Sequence, residues 1–191
     1  MDATLYSTIW VALALFTLAE AGKRRVSQHQ AVPPWAWPVW LSGAGLCTVH
    51  IALAFAGRHG WSHEAAVRET ARRTAAVYGI NWGGGVYVNY CFLATWWIEA
   101  WRWRAYPSSY FARRRAITWA LRAFYFVIIV NAVIVFASAP RRALGVVLVA
   151  ALVWIWRPGP GVDSSALDRR RPENGNPRPG APSAMVRPTR S

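Results

Sequence analysis

Apolar positions in this chain come in long blocks, with the charges crowded into the stretches between them. A soluble helix or strand would place a polar residue every few positions, so this blocking predicts membrane-spanning helices. A helix needs about 20 apolar residues to cross the hydrocarbon core. Blocks of roughly that length run over 3–21, 35–56, 80–101 and 117–139, and a shorter one runs over 143–156. Gly22 and the Lys23-Arg24-Arg25 run close the first block, and Pro33-Pro34 opens the second as a helix start. Pro140 is expected to stop the fourth block and Pro158 the fifth. The fifth block crosses only if Arg142 and Arg157 reach outward from its ends.

Residues 62–78 follow a different period. Ser62 suits an N-cap, Glu64 suits the positive end of a helix dipole, and Gly79 suits a helix stop. Ala66, Thr70, Thr74 and Val77 recur at helical spacing, with Arg68, Arg72 and Arg73 elsewhere. This is an amphipathic helix outside the bilayer or lying on its surface. Residues 158–191 hold Pro, Gly, Ser and Arg with almost no large apolar side chain, which predicts a disordered basic tail. The fold class is therefore all-α. It is a polytopic helical membrane domain over 1–157 with about five transmembrane helices, four being the alternative, followed by the tail. The first block lacks a basic leader and a cleavage site, so it is expected to remain as a helix.

Charge changes the picture by adding sidedness. The formal net charge is +14, and the arginines flank the apolar blocks, as positions meeting anionic lipid headgroups do. That placement argues against a nucleic-acid partner. Lys23, Arg24 and Arg25, then Arg102, Arg104 and Arg113 to Arg115, then Arg157 and the tail fall on one side if there are five spans. Trp35, Trp37, Trp40, Trp101, Trp103, Trp119, Trp154 and Trp156 fall at that same interface. The expected location is a cell membrane of the bacterial inner-membrane type, N-terminus outside and C-terminus cytoplasmic.

Candidate chemistry is sparse. No HExxH, no GxSxG and no carboxylate pair within a span occurs, so no catalytic residue is assigned and an enzyme is not indicated. His50 lies within the second block, where an ionisable residue is a functional candidate by default. His59 and His63 lie just beyond it, and the three are the candidate ligands for a metal or haem. Asn81 and Asn89 add polar groups at the start of the third block, and Asn131 adds one within the fourth. Gly79, Gly83, Gly84 and Gly85 read as a helix-packing surface that lets another backbone approach. On a helical period, Asn81, Gly85, Phe92 and Glu99 share one stripe. Glu99 is expected to pair with Arg102 or Arg104, Glu20 closes the first block beside Lys23 and Arg24 and needs no special role, and Cys47 and Cys91 read as small packing residues. These features leave three readings. The first is a structural or interaction subunit, with a membrane-protein partner or a second copy. The others are a metal- or haem-binding protein and a small transporter or channel component.

Overall fold

The computed structural model describes residues 2–27 and 31–157, so the tail expected over 158–191 lies outside the described residues. Every regular element among them is helical: α1 (Asp2–Ser27), α2 (Ala36–Ala54), α3 (His63–Tyr78), α4 (Gly85–Ala105), α5 (Pro107–Phe111), α6 (Arg115–Val130) and α7 (Ala139–Trp156). Wider π turns extend α2 over Phe55–His59 and α6 over Asn131–Val135. Four helical stretches are long and apolar enough to cross a membrane: Thr4–Arg25, Ala36–His59, Arg115–Val135 and Ala139–Trp156.

The boundaries differ from the sequence expectation in ways that have physical causes. α1 runs through Gly22 and the basic run instead of stopping there. A Cβ on Gly22 would lie 2.7 Å from the Ala36 Cβ, so this glycine admits the start of α2 rather than ending α1. α4 begins at Gly85, five positions later than 80, because residues 80–84 form an irregular connection. Asn81 is therefore off the helix and shares no stripe with Phe92 and Glu99. Pro140 does not stop a helix. It sits in the first turn of α7, where its missing N–H costs nothing. The chain turns over Phe136 to Ser138 instead, and the Arg142 guanidinium donates to the carbonyls of Ile134 (3.0 Å) and Ala137 (3.2 Å). These bonds satisfy acceptors that the preceding helix end leaves open. Starting four residues early makes α7 18 residues long, about 27 Å, close to the thickness of a hydrocarbon core.

α3 forms as its sequence suggests. The Ser62 hydroxyl accepts from the Ala65 N–H at 3.2 Å, and Gly79 ends the helix in the left-handed region at φ +72°. Glu64 pairs with Arg68, and Glu69 pairs with Arg72 and Arg73, one helical turn apart. The hydrogen bond from Arg73 holds the Glu69 carboxyl below its ordinary range. α3 returns to the bundle through its C-terminal residue: the Tyr78 hydroxyl donates to Asn131 Oδ1 at 2.6 Å.

α4 is less apolar than the four spanning stretches, yet it runs antiparallel along α2. Tyr90 lies beside Phe55, the Trp97 indole donates to Thr48 Oγ1 (3.0 Å), and the Trp37 indole donates to the Ala100 carbonyl (3.0 Å). Gly43 permits this approach, since a Cβ there would meet the Trp96 ring at 2.7 Å. The core between α1, α2, α4 and α6 is aromatic. Phe16 contacts Trp40, Trp96 and Tyr125 at ring separations of 4.9, 5.0 and 5.1 Å. Such pairs add about 0.5–1.5 kcal/mol each beyond the area they bury.

Candidate functional site at one end of the bundle

The histidines singled out by sequence do not meet. His50 Nδ1 lies 2.8 Å from the Leu5 carbonyl and 3.2 Å from Thr8 Oγ1, which ties α2 to α1. A carbonyl only accepts, so Nδ1 carries the proton in that contact. His59 stacks its edge on Phe55 within the π turn. His63 sits between two tyrosines of α4, with Nδ1 3.2 Å from the Tyr90 hydroxyl and Nε2 3.1 Å from the Tyr87 hydroxyl. Each imidazole has its own partners, and among the described residues no three His, Cys, Asp or Glu side chains gather as metal ligands would.

The remaining sequence candidates also separate. Asn81 and Asn89 are both exposed, while Asn131 bonds Tyr78 and the Val127 carbonyl. These amides do not line one interior path. Gly79 is the left-handed stop of α3. A Cβ on Gly83 would meet Val67 at 2.6 Å and one on Gly85 would meet Thr70 at 3.0 Å, so these two let α3 close onto the start of α4. A Cβ on Gly84 would meet the Trp82 indole. Cys47 is buried and Cys91 is exposed.

The polar cluster that the fold does assemble lies at the opposite end. Glu20 Oε1 accepts from Lys23 Nζ at 2.9 Å, and Oε2 accepts from the Trp156 indole at 2.7 Å. The Lys23 ammonium sits 3.1 Å above the Trp40 ring, 5.0 Å from Trp103 and 5.6 Å from Tyr110. Trp103 and Tyr110 stack with ring planes 5° apart. Glu99 Oε2 accepts from Arg113 at 2.5 Å, and Arg113 Nε donates to Thr118. Glu20 and Glu99 are only 6% and 3% exposed, so Glu20 does have a role, in the buried cluster, and Glu99 pairs with Arg113 rather than with Arg102 or Arg104 as sequence suggested.

The electrostatics follow from this packing. Burial first, then the negative charges of Glu99 and Glu20, push the Tyr110 phenol well above its ordinary value, so it stays neutral. Burial works against the Arg113 cation, but the bond to Glu99 outweighs it and holds the guanidinium above its usual value. Each buried carboxylate is thus matched by a cation, Glu99 by Arg113 and Glu20 by Lys23, and Glu20 also accepts from the Trp156 indole. Removing one partner from such a buried pair costs about 3–5 kcal/mol, so the cluster fixes helix positions strongly. It links α7 to α1, α1 to α2, α4 and α5, and α4 to the start of α6. Trp40, Trp103 and Tyr110, three of the rings involved, are buried rather than lipid-facing, and so is Trp156. Trp35, Trp101, Trp119 and Trp154 at the same end are exposed.

Sequence could offer Glu20–Lys23 as a helical-spacing pair, but not the cage around it, because Trp156 is 136 positions from Glu20. Comparison with family models, curated proteins and solved structures finds no match for this chain.

Proposed function

We propose that the chain is a five-crossing membrane protein that serves as a structural or interaction subunit of a membrane assembly. The several apolar helices are compatible with a membrane protein. α4 counts as the fifth crossing in this reading because it lies along α2 from Phe55 to Trp37. Five crossings set the Glu20–Arg113 end, with its basic connections, in the cytoplasm, and α3 outside.

The observation that carries the interaction reading is the outward face of α4. Tyr87, Cys91, Ala94, Ile98 and Trp101 repeat at helical spacing and are all exposed, with Asn89 beside them. The centre of that seam, Cys91 and Ala94, is small, which lets a second helix approach closely. Asn89 makes no side-chain hydrogen bond among the described residues, and an interhelical one would be worth about 0.6–2 kcal/mol. The metal and transport readings have no comparable support, since their residues go to separate partners. Purified in mild detergent, the protein should elute with a mass above that of one chain, and Asn89→Leu should lower it. A wild-type protein that runs as a single chain with nothing bound sinks the reading.

A further inference from the structure

The charged cluster contains one more cation than it has carboxylates to match. Glu20 is taken by Lys23 and Trp156, and Glu99 by Arg113. Arg122 of α6 is left over. It makes no hydrogen bond and no ion pair with any described residue. Its guanidinium lies 5.4 Å from the Trp119 ring and 5.7 Å from the Trp156 ring, and the residue is half-buried. Trp119 is exposed on one side of it, and α7 closes the other through Trp156.

An arginine within an apolar span is costly and is normally matched by a partner. Arg122 sits about 10 Å along α6 from its start at Arg115, within reach of the headgroup region of a bilayer. A guanidinium's five N–H donors suit two oxygens of one phosphate, and two indole rings lie within cation–π distance of this one. Basic pockets between transmembrane helices are known sites for anionic headgroups. Glu20, the carboxylate whose charge acts on Arg122, has its two oxygens bonded to Lys23 and Trp156, so among the described residues no carboxylate bonds the Arg122 guanidinium.

We infer that Arg122, with Trp119 and Trp156, forms a site for the phosphate of one anionic phospholipid at the α6–α7 edge of the bundle. The inference rests on the membrane reading above. The site differs from general attraction to a charged surface because it uses one half-buried guanidinium rather than the exposed arginines around it.

The test is lipid titration of the purified full chain followed by native mass spectrometry. Phosphatidylglycerol should be retained, one per chain, about ten-fold more tightly than phosphatidylcholine. Arg122→Gln should remove that preference, Arg122→Lys should keep part of it, and Arg104→Gln, at an exposed position, should leave it intact. Elution volume in the same detergent checks that each variant is folded. Equal retention of the two lipids by the wild type overturns the site, as does an unchanged preference in Arg122→Gln. Saturable binding of inorganic phosphate without lipid retention also overturns it. The membrane reading fails by a different result, extraction of the chain from vesicles by alkaline carbonate.

Discussion

The Lys23 ammonium lies 3.1 Å from the centre of the Trp40 ring while its hydrogen bond goes to Glu20. One helix thus inserts a cation into an aromatic cage supplied by three others, with Trp40 from α2, Trp103 from α4 and Tyr110 from α5. A cation over an aromatic face is worth about 2 kcal/mol or more when water is excluded. Position, charge and packing therefore depend on one another at this end of the bundle.

Lys23→Met should destabilise the protein by about 3–5 kcal/mol, because it removes the cation that hydrogen-bonds the buried Glu20 carboxylate. Glu20→Gln combined with Lys23→Met should recover much of that loss, since the unmatched charge is gone while the Trp156 indole keeps an acceptor. Denaturation in detergent, followed by tryptophan fluorescence, measures both. Equal loss in single and double variants would refute the charge argument.

The neutral Tyr110 predicts a pH dependence at the alkaline end. Its phenol ionises near 10.0 when unfolded and well above that when folded. The stability it contributes is present in full below pH 10.0 and is lost as pH climbs above that through the raised folded value. Tyr110→Phe should flatten this part of the stability profile. Phenolate absorbance recorded across the same range should show Tyr110 titrating only with unfolding.

Two glycines of α2 should respond in opposite directions. Gly43→Ala places a methyl group against Trp96 and the Ala12 carbonyl, and should cost about 1–3 kcal/mol. Gly45→Ala meets nothing within 4 Å and should be neutral or stabilising by up to about 1 kcal/mol. Thermal melts of both variants in one detergent decide it.

Tyr78→Phe removes the bond to Asn131 that returns α3 to the bundle. The loss should be about 0.5–1.5 kcal/mol or less, given the exposure of the pair. It should appear locally, as faster amide exchange over 63–78 with little change in α1 and α2.

The elements legible in the sequence are those set by local chemistry. α3 has its cap, its stop and its internal ion pairs all between Ser62 and Gly79, so periodicity and end residues suffice. The apolar lengths likewise announce α1, α2, α6 and α7. What is not legible depends on partners far along the chain. Gly22 reads as a stop because its neighbour, Ala36, cannot be seen in a run of sequence. Pro140 reads as a stop because a proline serves helix starts and helix ends alike, and only Arg142 bonding backward shows which. Glu99 reads as paired with Arg102 or Arg104 on its own helix, but the α5 turn brings Arg113 to it from 14 positions away. The histidines draw attention as ligand-type residues, while the buried cluster uses Lys, Glu, Arg and Trp, which resemble ordinary interfacial residues when read singly.

Five crossings require α4, which the apolar block over 80–101 suggests, which is less apolar than the four spanning stretches, and which packs along α2. The direct measurement is sided labelling in sealed inner-membrane vesicles, with Cys47 and Cys91 replaced by alanine and single cysteines introduced as Glu69→Cys in α3 and Arg104→Cys at the end of α4. Five crossings predict that a membrane-impermeant maleimide reaches position 104 on the cytoplasmic face and position 69 only from the opposite face. Labelling of both positions from one face would contradict this, because α4 would then not cross.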